Sequence, residues 1–291
     1  MGKAELVVDA KANLGEGPVW DEKEQCLYWV NITEPSIHRY DPATGADSKV
    51  LTDQFVGAAV RRESGGFIAA MKDGIYILNE QGKQLKFLGD PESDLPQNRF
   101  NDGKCDRLGR FWAGTMSMNG GKKMGALYRV DPDGAITKVL EDISLSNGLA
   151  WSPDWELFYY IDTPTKEVWA FDYSEEEGRL SNQRVVYSFK EGDGVPDGMT
   201  IDAEGMLWVA HWGGYKVSRI DPHQGVVLEE IRVPAKQVTS CTFGGSNLDE
   251  LYITTARGGL DADELNQYPH SGGVFRVKLA VRGIRSYSFK G

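Results

Sequence analysis

A three-part motif recurs six times along the chain, and few folds accommodate that pattern. Each copy opens with a polar or small residue followed by a glycine or serine: EGPVW from Glu16, VGAAV from Val56, DGKCD from Asp102, NGLAW from Asn147, DGMTI from Asp197 and TSCTF from Thr239. An aromatic-rich run comes next (LYWV from Leu27, FIAA from Phe67, FWAG from Phe111, FYYI from Phe158, LWVA from Leu207, LYIT from Leu251). A third apolar run follows (IHRY from Ile37, IYIL from Ile75, LYRV from Leu127, VWAF from Val168, VSRI from Val217, VFRV from Val274), and three of these end on Asp-Pro, at Asp41, Asp131 and Asp221. The second residue of the opening segment falls at 17, 57, 103, 148, 198 and 240, giving spacings of 40, 46, 45, 50 and 42. Short aromatic and β-branched runs separated by Gly, Asp, Asn and Pro read as strands and turns. Repeats of about 40–50 residues built from such strands predict propeller blades. The expected fold is all-β, a six-bladed β-propeller with four antiparallel strands per blade, occupying residues 1–291 as a single domain.

Little helix is expected: one short turn within Leu260–Gln267, with Asp172–Leu180 read as a surface hairpin. A ring of blades must tie its ends together. The alternating segment Ala4–Asp9 is expected to complete the blade begun by Thr239 and so remove an exposed edge.

Composition narrows the function classes. Acidic residues outnumber basic ones, 43 to 32, for a formal charge of −11. That balance argues against nucleic acid, whose affinity comes largely from Lys and Arg on phosphates. No apolar run approaches the roughly 18 residues that a membrane helix needs, and Met1–Ala10 does not read as a signal peptide. Cys26, Cys105 and Cys241 are odd in number and widely spaced, which suits small core residues in a reducing compartment. The expectation is a cytoplasmic protein, monomeric or weakly self-associating, without nucleic-acid or membrane partners. The aromatics, Trp20, Trp112, Trp151 and Trp208 among them, are expected between blades.

The repeat also places chemistry. In each blade the first strand is innermost, so its opening residue rims the central channel. The six rim residues are Glu16, Val56, Asp102, Asn147, Asp197 and Thr239, and four carry carboxylate or carboxamide oxygens. Such residues often satisfy backbone groups in turns. Four at one repeat position around one axis would repel, and a cation resolves the repulsion. Oxygen donors of this kind suit a hard or borderline divalent ion: calcium, magnesium, manganese or zinc.

Several segments resemble the gluconolactonase family that includes regucalcin, the senescence marker protein. They are Gly15-Glu16-Gly17-Pro18-Val19-Trp20, Asn98-Arg99-Phe100-Asn101-Asp102-Gly103-Lys104, Ser146-Asn147-Gly148-Leu149, Pro196-Asp197-Gly198-Met199, Thr239 to Gly245, Thr254-Thr255-Ala256-Arg257 and the ending Ser286-Tyr287-Ser288-Phe289. The resemblance spans almost the whole chain and implies a six-bladed propeller with one metal near the channel mouth, acting on small sugar lactones. It implies that Glu16, Asn147 and Asp197 hold the metal and that Arg99 and Asn101 bind substrate. Asp102 is expected behind the ion or joined to it through a water. One stretch departs from the family pattern. Mammalian members carry acidic residues after Gly-Thr-Met, whereas here 114–116 is followed by Ser117-Met118-Asn119-Gly120-Gly121. Asn119 is expected to replace the missing carboxylate contact to sugar hydroxyls.

The chemistry expected of this set is hydrolysis of an aldonolactone to its aldonic acid, the metal polarising the carbonyl and activating water. Asp197 is the candidate general base as well as a ligand. Arg99 offers a planar fork of donors, and Asn101 both donates and accepts. His211, at the end of a second strand, reads as a rim residue bonded to its neighbours, with acid–base catalysis the sharper alternative. Loops from Met116 to Ala126 and from Ala256 to Gly273 lie on the same face, making Met118, Lys122, Lys123, Arg257, Asp261 and Tyr268 candidates for specificity. Two other functions fit the residues: a promiscuous metal-dependent esterase or phosphotriesterase, and a calcium-binding propeller without turnover.

Overall fold

Strands of four to ten residues gain stability only by pairing and by covering their apolar faces. In the computed structural model, which describes residues 2–291, they pair into six antiparallel four-stranded units. Blade 1 comprises Gly15–Asp21, Cys26–Asn31, Ser36–Asp41 and Ala46–Leu51. Blade 2 runs from Val56–Arg61 to Gln84–Gly89, blade 3 from Asn98–Cys105 to Ile136–Ile143, and blade 4 from Ser146–Trp151 to Arg179–Ser188. Blade 5 runs from Val195–Ile201 to Val226–Arg232. Blade 6 begins at Gln237–Gly244 and takes its fourth strand from the N-terminus, where Glu5–Val8 pairs with Val274–Lys278. That closure matches the expectation for Ala4–Asp9. Blades 5 and 6 also touch at the mouth, where Trp212 pairs with Gln237. The expected short helix is Ala262–Gln267, started by Asp261 in a capping box with Glu264. Among the described residues no helix is long and apolar enough to cross a membrane.

Burial follows position in the blade. Innermost strands such as Val56–Arg61 and Ser146–Trp151 are almost wholly buried, while outermost strands such as Ala46–Leu51 are largely exposed. The apolar core is therefore divided into six clusters, one at each junction between neighbouring blades. Large aromatics bridge these junctions, as expected. Trp20 of blade 1 stacks on Tyr252 of blade 6 at 5.4 Å, and Trp112 of blade 3 meets Trp151 of blade 4 edge-on at 5.8 Å. The three cysteines are buried and free.

Two blades share a polar anchor under their tryptophans. Asp106 accepts hydrogen bonds from Trp112 Nε1 (2.9 Å) and Arg110 Nε (2.7 Å). Asp202 accepts from Trp208 Nε1 (3.0 Å) and Arg219 Nε (2.8 Å). Both aspartates are fully buried, and the paired donors offset the cost of removing a carboxylate from water.

The repeat pattern gave no sign of how the C-terminal segment lies. Residues 282–291 cross the face opposite the rim and touch the first hairpin of every blade. Arg282 O accepts from Ala203 N (2.8 Å), and Gly283 N donates to Leu248 O (2.7 Å). Arg285 pairs with Glu22, and Tyr287 packs edge-on against Trp155. Phe289 N donates to Arg61 O (2.9 Å), and Lys290 N donates to Gly109 O (3.1 Å). Phe289 fills the junction of blades 2 and 3 at 1% exposure. The segment thus covers the far end of the channel, leaving the rim face as the approach to it. Phe289→Ala is expected to lower the unfolding free energy by about 3–5 kcal/mol, the usual cost of deleting a buried aromatic ring, read from the urea-denaturation midpoint.

Candidate metal and substrate site

Each rim residue owes its aim to an irregularity in its strand. In all six blades the pairing of first and second strands shifts register just inside the mouth: between Glu16 and Val19, Val56 and Ala58, Phe100 and Gly103, Ser146 and Leu149, Pro196 and Met199, and Val238 and Ser240. A bulge adds a residue to one strand and re-aims side chains, here at the opening of the channel. Glycine follows five of the six rim residues, and after Val56, Asn147 and Asp197 the neighbouring inner strand approaches too closely for a Cβ. At Gly57 a Cβ would lie 2.5 Å from the Phe100 and Asn101 carbonyl oxygens, and at Gly198 2.1 Å from Ser240 Oγ. The bulge also leaves an amide N–H without a ladder partner. Glu16 Oε2 accepts it from Gly17 (2.9 Å) and Asp102 Oδ1 from Gly103 (2.7 Å). The Gly198 amide likewise favours the charged form of Asp197. These carboxylates therefore hold backbone and face the channel at once.

Glu16, Arg99, Asn101, Asn147 and Asp197 line one cavity of about 260 Å³, together with Thr163 and the apolar side chains of Leu14, Met116, Leu145, Val195 and Trp212. A single chain of hydrogen bonds orients the amides. Arg99 Nη1 donates to Asn101 Oδ1 (2.7 Å) and to Phe100 O (2.8 Å). Asn101 Nδ2 donates to Ser146 O (2.8 Å) and to Asn147 Oδ1 (3.1 Å). Asn147 Nδ2 donates to Thr163 Oγ1 (2.7 Å), which donates on to Pro196 O (2.8 Å). With both amide orientations fixed, Asn147 Oδ1 keeps one acceptor position for another partner.

The carboxyls of Glu16 and Asp197 lie in hydrogen-bonding contact with each other. Burial, followed by the Asp102 charge, pushes Glu16 up to about 8. Burial and then the Glu16 charge raise Asp197 well above the ordinary carboxylate range. Asp102 is also raised, by burial, although the Lys104 ammonium opposes the shift. Burial lowers Arg99 to about 10, so it stays charged at neutral pH. Two buried acids in contact need a shared proton or a cation between them.

A family model described as SMP-30/Gluconolactonase/LRE-like region matches residues 14–257. The chain belongs to this family. It is 43% identical over 99% of both chains to a Bacillus subtilis (strain 168) protein provisionally named sugar lactone lactonase YvrE. It is 40% identical, again over 99% of both, to Xenopus laevis regucalcin. A solved structure from Agrobacterium tumefaciens, described as a calcium-binding protein, regucalcin, superposes with a TM-score of 0.94 at 29% identity. That superposition covers 100% of this chain and 98% of the other.

The residues expected from the rim pattern and from the family resemblance divide by position. Glu16, Asn147 and Asp197 converge on the cavity, as do Arg99 and Asn101, whereas Asp102 does not line it. Among the described residues no three acidic, histidine or cysteine side chains are close enough to hold an ion by themselves. The donors at the mouth are two carboxyls and one carboxamide. Val56 and Thr239 bring no such donor, since Thr239 Oγ1 is engaged with Gly15 O at 2.6 Å. Asn119 lies in an exposed turn away from the cavity lining, which Met116 reaches instead. His211 is 1% exposed and off the cavity. Its Nδ1 meets Asp193 O at 2.8 Å, and burial pushes its pKa down to about 4, so the ring is neutral. Tyr268 packs on Tyr215 and Asp261 caps its helix, both outside the lining.

The pattern did not single out Thr163 or the apolar wall. The wall nevertheless had a signal: Leu14, Leu145 and Val195 each stand two residues before Glu16, Asn147 and Asp197. The period-2 alternation of a strand puts such pairs on one face.

In chelator-treated protein the raised acids make the folded state bind more protons than the unfolded chain between about pH 4.5 and 8, so stability falls as pH rises through that window. The thermal midpoint of the wild type is expected to drop from about pH 5 to pH 8, and Glu16→Gln is expected to flatten that drop in a calorimetric pH series.

Proposed function

We propose that this protein hydrolyses small sugar lactones at the channel mouth, using one divalent cation held by Glu16, Asn147 and Asp197. The observation that carries the reading is the contact between two buried carboxyls beside an oriented carboxamide oxygen, in a cavity that also holds a charged arginine. The donor set fits such an ion. Two carboxylates that repel when both ionised are stabilised by a divalent cation whose charge they balance, and the neutral Asn147 oxygen adds a donor without adding charge. Membership of the gluconolactonase-like family supports the reaction, as does the lactonase name of the Bacillus subtilis relative. The calcium-binding description of the Agrobacterium tumefaciens protein supports a divalent ion.

A bound ion would polarise the lactone carbonyl and acidify water at the site. The chain's own groups supply the rest. Arg99, held by Phe100 O and Asn101, donates to a carbonyl or hydroxyl oxygen of the substrate, and Asn101 fixes that guanidinium in place. Asp197 takes the proton of the attacking water and returns it to the ring oxygen as the ester C–O bond breaks, so that lactone and water give the hydroxy acid. Leu14, Met116, Leu145, Val195 and Trp212 exclude bulk water, and the charged groups therefore act at low dielectric.

Asp197→Ala and Glu16→Ala are expected to lower kcat on an aldonolactone by at least about 100-fold while the circular dichroism spectrum stays native-like. Arg99→Ala is expected to raise KM roughly tenfold or more, the loss of one hydrogen bond from a charged donor. Acid release measured on chelated enzyme and on enzyme refilled with each metal tests the reading. Aryl ester and phosphotriester substrates in the same assay would reveal a broader esterase. Full activity in chelated protein and in both acidic variants would refute it.

A further inference from the structure

Lys104 sits on the inner strand of blade 3, two residues past Asp102, and does not line the substrate cavity. Its Nζ donates to Leu149 O (3.0 Å) on blade 4 and to Met199 O (2.9 Å) on blade 5. Leu149 lies two residues past Asn147, and Met199 lies two residues past Asp197. Each is also the first residue to regain regular pairing beyond its bulge, Leu149 with Tyr160 and Met199 with Val209. The channel-side edge of an inner strand has no strand partner, so these carbonyls depend on another donor. An ammonium carries three donors on one small head and can bridge two such edges. A neutral apolar side chain would leave both carbonyls without that donor.

We propose that Lys104 is a positioning residue: by tying the inner strands of blades 4 and 5 just behind Asn147 and Asp197, it sets the spacing of those two donors and so the grip on a divalent cation. The inference rests on the metal reading above. The two strands already lie at van der Waals limit here, since a Cβ on Gly148 would meet Met199 Cβ at 2.7 Å and Asp197 O at 2.9 Å. Lys104 therefore acts on a junction with little slack, where a small outward movement of either strand changes the distance between donors directly. Asn101 and Thr163 each reach one neighbouring inner strand, at Ser146 O and Pro196 O, whereas the Lys104 ammonium bonds at once to both strands that carry Asn147 and Asp197. Partners of this indirect kind typically alter metal affinity by about 10–100-fold when removed.

The test is calorimetric titration of calcium chloride into chelator-treated full-length protein, comparing wild type, Lys104→Met, Lys104→Gln and Glu16→Gln, with each thermal midpoint recorded. Lys104→Met is expected to weaken calcium binding by about 10–100-fold. Lys104→Gln, which keeps a neutral donor for one carbonyl, is expected to fall between Lys104→Met and wild type. At saturating calcium, kcat on a lactone is expected to recover in both variants more fully than affinity does. To separate the strand tie from the charge facing Asp102, the Met substitution is repeated in an Asp102→Asn background, where the loss of affinity should persist. Calcium affinity within threefold of wild type in Lys104→Met, or in Lys104→Gln if that variant alone folds, would overturn the proposal, even if its thermal midpoint falls. Disappearance of the effect in the Asp102→Asn background would overturn it as well, leaving a charge effect. Failure of wild type to bind calcium, or wild-type affinity in Glu16→Gln, would instead refute the metal reading itself.

Discussion

Six inner strands converge on one axis, and the crowding there governs both fold and site. Where neighbouring inner strands come closest no Cβ fits, so glycine follows the rim residue at Val56, Asn147 and Asp197. Where the strands crowd, their ladders slip and leave bulges. A bulge frees an amide N–H and turns the preceding side chain inward, and a carboxylate at that position satisfies the amide. The acidic ring at the mouth thus begins as a solution to backbone hydrogen bonding. Its concentration of negative charge in a buried place then creates the need for a proton or a cation.

The remainder of the molecule holds that crowding in place. Apolar burial is distributed among six inter-blade junctions, so each blade is fixed mainly by its two neighbours, and the ring is only as firm as its closure. The N-terminal strand completes blade 6 through backbone pairing, and the C-terminal segment spans the hairpins of all six blades. The site needs this rigidity because its groups come from four different blades. Asn101, Asn147 and Thr163 form a relay across two junctions, from blade 3 to blade 4 and on to the Pro196 carbonyl of blade 5. A shift of one blade would break the relay and change the contact between Glu16 and Asp197.

How much of the site was legible depended on whether a residue's role was repeated. Glu16, Asp102, Asn147 and Asp197 stand out because each fills the slot that the other two blades give to Val56 and Thr239, and the family resemblance set Asp102 apart from the other three. The apolar wall at Leu14, Leu145 and Val195 follows the same register and could have been read by stepping back two residues. Thr163 could not, because it lies in a short 3-10 turn found in one blade only. Nor could the fate of Asn119, which lies in an exposed turn although its loop is on the rim face. His211, read as bonded to its neighbours, meets Asp193 O and packs against Phe189.

By itself the sequence determined the number of blades and which residue opens each inner strand at the rim. Those properties follow from a period repeated along the chain, and a period is local information. Only the tertiary structure decided which rim residues share a cavity, which way the amides point, that two acids touch and that Lys104 joins the strands behind them. These depend on the twist and stagger between blades, set by the fit of side chains from distant segments at each junction, for which no single stretch of sequence holds the geometry.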